Sequence, residues 1–142
     1  MKSLYHEVIK QHQKQPYHFL KKEDAPLTIR ANNPICGDRY DLFIEQNGEV
    51  LQPLHFHGYG CALSKASTSI MVEVLEGKTI DEAIQICHNF LNFIANTLEG
   101  EVYHPSFTAF EALHSQKARI DCVTLSWKEL LQFLEKQNSK HD

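Results

Sequence analysis

The chain has 142 residues, 42% hydrophobic and 23% charged, with a net charge of −4 and a pI near 6.1. That composition supports one domain over residues 1–142 with its own apolar core, and the absence of any basic block longer than Lys21-Lys22 argues against a nucleic-acid partner. No run approaches the ~18 apolar residues of a membrane span, and the polar start Met1-Lys2-Ser3-Leu4-Tyr5-His6-Glu7 lacks the apolar stretch of a signal peptide, so the expected location is cytoplasmic.

Ser3 as N-cap, with Leu4, Val8 and Ile9 on one face, predicts a helix over 3–14, and Pro16 lies just past its end. A polar connector fills 15–26. Residues 27–31 read as a short strand ending at the turn cluster Asn32-Asn33-Pro34. Residues 40–45 read as a second strand. Asn47-Gly48 is a hairpin signal that returns the chain along 50–59. On that return Leu54, Phe56 and Gly58 share one face, and His55 and His57 share the other.

From Cys61 the period becomes helical. Leu63, Ala66, Ser67, Ile70, Val74 and Leu75 form one stripe that Gly77 ends. Thr79 and Glu82 form a capping box for a second helix carrying Ile80, Ala83, Ile84, Cys87, Leu91 and Ile94. Residues 97–118 are less regular, with Pro105 breaking the chain and a short helix predicted at 106–114. A last helix is predicted over 119–136, with Cys122, Leu125, Leu130, Phe133 and Leu134. The predicted class is α+β: a small antiparallel sheet of about three strands packed against several helices.

The chain contains four cysteines. In a reducing compartment they serve as ligands, nucleophiles or buried packing rather than as disulfides. Cys87 falls inside an apolar helical stripe and reads as core. Cys36, Cys61 and Cys122 do not. With Asp38 they make four donors of the kinds that zinc takes. Gly37 lets the loop bend so that Cys36 and Asp38 can reach one ion. Cys61 opens a helix, where the dipole favours thiolate. The spacing is not the paired C-x-x-C of a zinc ribbon, so the residues alone leave a metal site and three incidental thiols both open. His55 and His57 read as solvated surface. Gly58-Tyr59-Gly60 has no Gly-Lys-Ser/Thr after it and is no phosphate loop. Ser64, Ser67 and Ser69 read as small packing residues.

At these same positions the chain resembles a known family. Asn32-Asn33-Pro34-Ile35-Cys36-Gly37-Asp38-Arg39 is similar to the first ligand motif of the U-type iron–sulfur assembly proteins. Gly58-Tyr59-Gly60-Cys61-Ala62-Leu63-Ser64-Lys65-Ala66-Ser67-Thr68-Ser69 resembles the second, and Arg119-Ile120-Asp121-Cys122-Val123-Thr124-Leu125-Ser126-Trp127 the third. Leu4-Tyr5-His6-Glu7-Val8-Ile9, with His12 and Pro16, is similar to the N-terminal helix of the family. The IscU branch has a His directly before the third Cys and a shorter gap. Here Asp121 holds that place, and 60 residues separate Cys61 from Cys122. Those features resemble the SufU branch, whose insertion corresponds to the stretch around Pro105 to Lys117. The chain departs from that branch in having Asp121 before the third Cys and Tyr17-His18 after Pro16, where basic residues are usual.

The resemblance implies an IscU/SufU-like fold and zinc bound by Cys36, Asp38, Cys61 and Cys122. It also implies a sulfurtransferase role: Cys36 accepts persulfide sulfur from a SufS-type cysteine desulfurase and passes it to a downstream iron–sulfur scaffold. The alternative is a scaffold that assembles a [2Fe-2S] cluster on the same ligands.

Overall fold

The computed structural model describes residues 2–95 and 104–140. Ten elements follow in order: α1 (Lys2–Lys14), β1 (Leu27–Asn33), β2 (Asp38–Ile44), β3 (Gln46–Asn47), β4 (Val50–Leu51), β5 (His55–Tyr59), α2 (Ala62–Leu75), α3 (Ile80–Ala95), a 3₁₀ segment (Pro105–Ser115) and α4 (Lys117–Lys140). The α+β class read from the sequence is the class observed. The main sheet has three antiparallel strands in the order β1-β2-β5.

Register places the site. β1 pairs with β2 from Leu27↔Ile44 to Asn33↔Asp38, so only Pro34-Ile35-Cys36-Gly37 bridge the two strands. The first strand therefore runs two residues past its predicted end. Ladder bonds take in Asn32 and Asn33, whose turn propensity had placed them outside. Likewise Asp38 opens a strand instead of closing a loop. β2 pairs with β5 through Leu42↔Phe56 and Tyr40↔Gly58. The predicted return strand over 50–59 is split, because Pro53 cannot donate to a ladder. Its first part pairs with Gln46 and Asn47 around the Gly48 turn, and Val50 forms a bridge with Thr79 on its other side. On its second part Phe56 is buried and His57 exposed, as alternation requires.

The connector after α1 is less passive than its polarity suggests. His18 O accepts from Phe56 N and Phe56 O accepts from Leu20 N, so residues 18–20 cover the outer edge of β5. Ser69 on α2 fastens both sides of that turn: its Oγ lies 2.7 Å from His12 Nδ1 and 2.7 Å from the Tyr17 N–H.

The helix α2 runs through the core against α1, α4 and β5, with Leu63, Ala66, Ile70, Met71, Val74 and Leu75 buried. The predicted capping box starts α3: Thr79 N donates to Glu82 Oε1 at 3.0 Å, and Glu82 N to Thr79 Oγ1 at 3.1 Å. Cys87 on α3 is fully buried, as its place in the stripe predicts. In the less regular region, residues 97–103 and 96 lie outside the described residues, and the predicted 106–114 helix is the 3₁₀ segment. Trp127 on α4 is fully buried and stacks on Phe90 at 4.0 Å between ring centres, which adds about 0.5–1.5 kcal/mol to its burial. Its indole N–H donates to Ser67 Oγ at 2.9 Å, and Thr68 Oγ1 meets Ser126 Oγ at 2.7 Å. These bonds lock α4, which carries Cys122, against α2, which Cys61 caps.

Candidate metal centre

The hairpin between β1 and β2 delivers the first two donors. Pro34 fixes the entry into the turn, Asn33 Oδ1 accepts from Ile35 N at 3.2 Å, and Asn33 O accepts from Gly37 N at 2.9 Å. Gly37 has φ +76, a conformation that favours glycine. Cys36 therefore sits exposed at the tip, beside Ile35, which is 94% exposed. Asp38, two residues on, is fully buried.

Cys61 caps α2. Its backbone is extended, and its Sγ accepts from Ser64 N at 3.4 Å, the bond that a Ser or Asp cap makes. Its own N–H donates to Asp38 Oδ1 at 3.0 Å. Ser64 Oγ is 3.2 Å from the same carboxylate oxygen and 2.8 Å from Tyr40 Oη. Cys122 arrives in the second turn of α4, nearly buried, with Ala118 O 3.9 Å from its Sγ.

These placements bring donor atoms of Cys36, Asp38 and Cys122 within 4.8 Å of one another, a grouping that could hold a metal ion. The Cys61 thiol is not in that group, since its Sγ turns toward the first turn of α2. Its backbone is nonetheless bonded to Asp38, and a change of χ1 redirects Sγ from that position.

The chemistry of the donor set fits a cation. Asp38 Oδ2 is buried with no hydrogen-bond partner. An orphaned carboxylate oxygen costs free energy that a coordinated ion removes. Burial pushes the Cys122 thiol well above the usual range, and the Asp38 and Cys36 side chains within hydrogen-bonding reach, then the charges of Cys61 and Asp38, push it further. A dication among these groups reverses that effect and favours the thiolate. The two thiols and the carboxylate are ligands that zinc takes.

Other residues are placed as follows. His57 is exposed and stacks on Phe19 at 4.8 Å; His55 stacks on His18 at 4.9 Å, and neither joins the donor group. The Arg119 side chain is exposed. Ser64, Ser67 and Ser69 are all buried and hydrogen-bonded. A groove of about 210 Å³ opens between the end of β1 and α4, lined by Asn32, Asn33, Asp121, Thr124 and Lys128 among others. Asp121 thus faces an open groove next to Cys122. Sequence reasoning missed Tyr40 altogether and saw Ser64 only as packing. The signal for Ser64 was its place three residues after an N-cap; Tyr40 gave none, because its partner lies 24 positions away.

The NifU-like N terminal domain matches residues 4–141. The zinc-dependent sulfurtransferase SufU of Bacillus subtilis is 34% identical over 133 residues, covering 90% of this chain and 87% of the relative. The iron–sulfur cluster assembly scaffold protein IscU of Streptococcus pyogenes is 30% identical over 142 residues, covering 97% and 87%. Among solved structures, FiSufU from Fervidobacterium islandicum AW-1 superposes with a TM-score of 0.78 at 30% identity, covering 87% of this chain and 91% of that one. The N-terminal part of a NifU-like protein from Brucella abortus has the same fold, with a TM-score of 0.80 at 17% identity over 98% and 97% of the two chains. The chain belongs to the NifU-like N-terminal domain family of iron–sulfur cluster assembly proteins.

Proposed function

We propose that this chain is a zinc-dependent sulfur acceptor and transfer protein of iron–sulfur cluster biogenesis, a single cytoplasmic domain that takes sulfur from a SufS-type cysteine desulfurase onto Cys36. The observation that carries this reading is the convergence of Cys36, Asp38 and Cys122 donors within 4.8 Å of one another, with one buried oxygen of Asp38 left without a partner. Its similarity to the Bacillus zinc-dependent sulfurtransferase supports the same reading. Among the described residues no helix is long and apolar enough to cross a membrane, which is compatible with the proposed location.

Cys36, Asp38, Cys61 and Cys122 are the proposed ligands. Bound there, zinc stabilises thiolates near neutral pH without exchanging electrons. Cys36 is the proposed acceptor because it alone of the thiols stands on a turn between strands; Cys61 and Cys122 are built into helices. Its thiolate attacks the outer sulfur of the partner's persulfide. A bond forms between Cys36 Sγ and that sulfur, and the partner's S–S bond breaks. The desulfurase cysteine leaves as a thiolate, and the proton on the transferred sulfur stays with it. The exposed Ile35, with Tyr59 at 61% exposure two residues before Cys61, gives the partner apolar surface next to the acceptor. A downstream iron–sulfur scaffold then receives the sulfur.

A second reading is a scaffold that assembles a [2Fe-2S] cluster on the same ligands. It is favoured by the Streptococcus relative, which is named as such a scaffold. Metal analysis and colour separate the two. One zinc in a colourless protein supports sulfur transfer, and iron with sulfide in a brown protein supports the scaffold.

A further inference from the structure

The two oxygens of Asp38 are treated differently. Oδ1 receives the Cys61 N–H at 3.0 Å and lies 3.2 Å from Ser64 Oγ, whereas Oδ2 is buried with no partner. Ser64 Oγ is in turn 2.8 Å from Tyr40 Oη, and both side chains are essentially fully buried. Donor counting orders this chain of bonds. A carboxylate only accepts, so the hydrogen between Ser64 and Asp38 comes from Ser64. Ser64 has no second hydrogen, so Tyr40 donates to Ser64. Cys61 O, 3.1 Å from Ser64 Oγ, competes for the Ser64 hydrogen, but an ionised carboxylate is the stronger acceptor.

Gly60 makes room for the arrangement. A Cβ there would stand 2.5 Å from both Asp38 Oδ1 and Ser64 Oγ and 2.6 Å from Tyr40 Oη. Three polar atoms, two from β2 and one from α2, therefore converge on one bare Cα. Cys36 has no comparable support: its side chain is exposed, on a turn of four residues.

Building on the metal-bound Asp38 proposed above, we infer that Ser64 and Tyr40 are positioning residues: Ser64, itself held by the Tyr40 hydroxyl, joins the Cys61 N–H on Oδ1 of Asp38, so that Oδ2 is left for the metal and the carboxylate stays in place when Cys36 swings out to accept sulfur. The site then has a fixed half, made of Asp38 and the two helical cysteines, and a mobile half, made of Cys36. Loss of the Ser64 hydroxyl leaves the Cys61 N–H as the remaining hold on Oδ1, and loss of the Tyr40 hydroxyl leaves Ser64 without its anchor, so either change loosens the carboxylate.

The test uses Tyr40→Phe, which removes one oxygen atom, Ser64→Ala, and Ser64→Thr, which keeps a hydroxyl. Each full-length variant is checked for folding by circular dichroism. Zinc affinity is then measured by chelator competition, and the visible absorption of the cobalt(II)-loaded protein reports the donor set. Y40F and S64A are expected to bind one metal with affinity lowered by about 10–100-fold and with shifted cobalt bands, while S64T restores both. Folded variants with native affinity and native bands overturn the inference and leave the proposed zinc site standing. A native chain that binds neither metal overturns the proposed function and the inference together. If S64A does not fold, Y40F decides alone.

Discussion

The Cys61 N–H donates to Asp38 Oδ1 at 3.0 Å, joining the N-cap of α2 to the first residue of β2 across 23 positions of sequence. This one bond ties the strand that begins with Asp38 to the helix that Cys61 caps. It also explains why the buried carboxylate is placed by backbone, with one oxygen used by the fold and the other left over.

Replacing Asp38 by Ala removes the oxygen ligand and the anchor of Cys61 together. Zinc affinity is expected to fall by more than the ~10–100-fold seen when only an outer partner of a ligand is lost. Competition against a chromophoric chelator measures this, and native affinity in D38A would remove Asp38 from the ligand set.

Gly60→Ala places a methyl group 2.5 Å from Asp38 Oδ1 and Ser64 Oγ. Overpacking of this kind costs about 1–3 kcal/mol. The variant is expected to unfold at lower denaturant than the native protein and to bind zinc more weakly. An unchanged unfolding midpoint would mean that the close approach at Gly60 is relieved at no cost.

Cys87 is buried on α3, and burial, with Glu135 adding to it, pushes its thiol up to about 12. It should resist alkylation in the folded protein and react on unfolding. Cys87→Ala should keep the native zinc stoichiometry. Rapid labelling of Cys87 under native conditions contradicts its assignment to the core.

Stability of the zinc-free protein should fall on acidification through histidine. Burial lowers the His12 pKa from 6.5, with Glu73 opposing in part. Burial also lowers that of His55, aided by His18 and Lys22. A lowered histidine pKa means that the unfolded chain binds more protons than the folded one below about pH 6.5. The stabilising contribution is complete above that value and is lost as pH falls from it through the lowered pKa. His12→Gln, which can still bond Ser69, is expected to show a shallower fall between pH 7 and 5. Equal slopes for H12Q and the native chain in thermal melts would show that His12 is not responsible.

Trp127 binds α4 to α2 and α3 through its stack on Phe90 and its bond to Ser67. Trp127→Ala is expected to cost about 3–5 kcal/mol in chemical unfolding. Because Cys122 rides on the same helix, zinc binding should weaken as well. A loss below about 1 kcal/mol would mean that this cluster is not central to the core.

Much of the fold was legible because local signals and tertiary packing agree. The Thr79–Glu82 capping box, the Leu54/Phe56 alternation and the Cys87 stripe each depend on residues a few positions apart, and each is where periodicity puts it. Legibility failed where long-range pairing overrode local preference. Asn32 and Asn33 prefer turns, yet pairing with Arg39 and Asp38 draws them into β1. Polar residues 18–20 read as a linker, yet the open edge of β5 captures their backbone. The candidate site divides in the same way. Cys36, Asp38, Cys61 and Cys122 stand out by residue type, because few side chains ligate metals. Tyr40 and Ser64 do not, because a buried hydroxyl bonded across 24 positions has the same sequence signature as any core tyrosine or helical serine.

The most direct test of the central claim is whole-protein mass spectrometry with metal analysis, after incubation with a cysteine desulfurase, pyridoxal phosphate and cysteine. One zinc per chain and a mass gain of one sulfur atom that disappears in Cys36→Ser are expected. Zinc with no sulfur gain, or sulfur that persists in C36S, would contradict it.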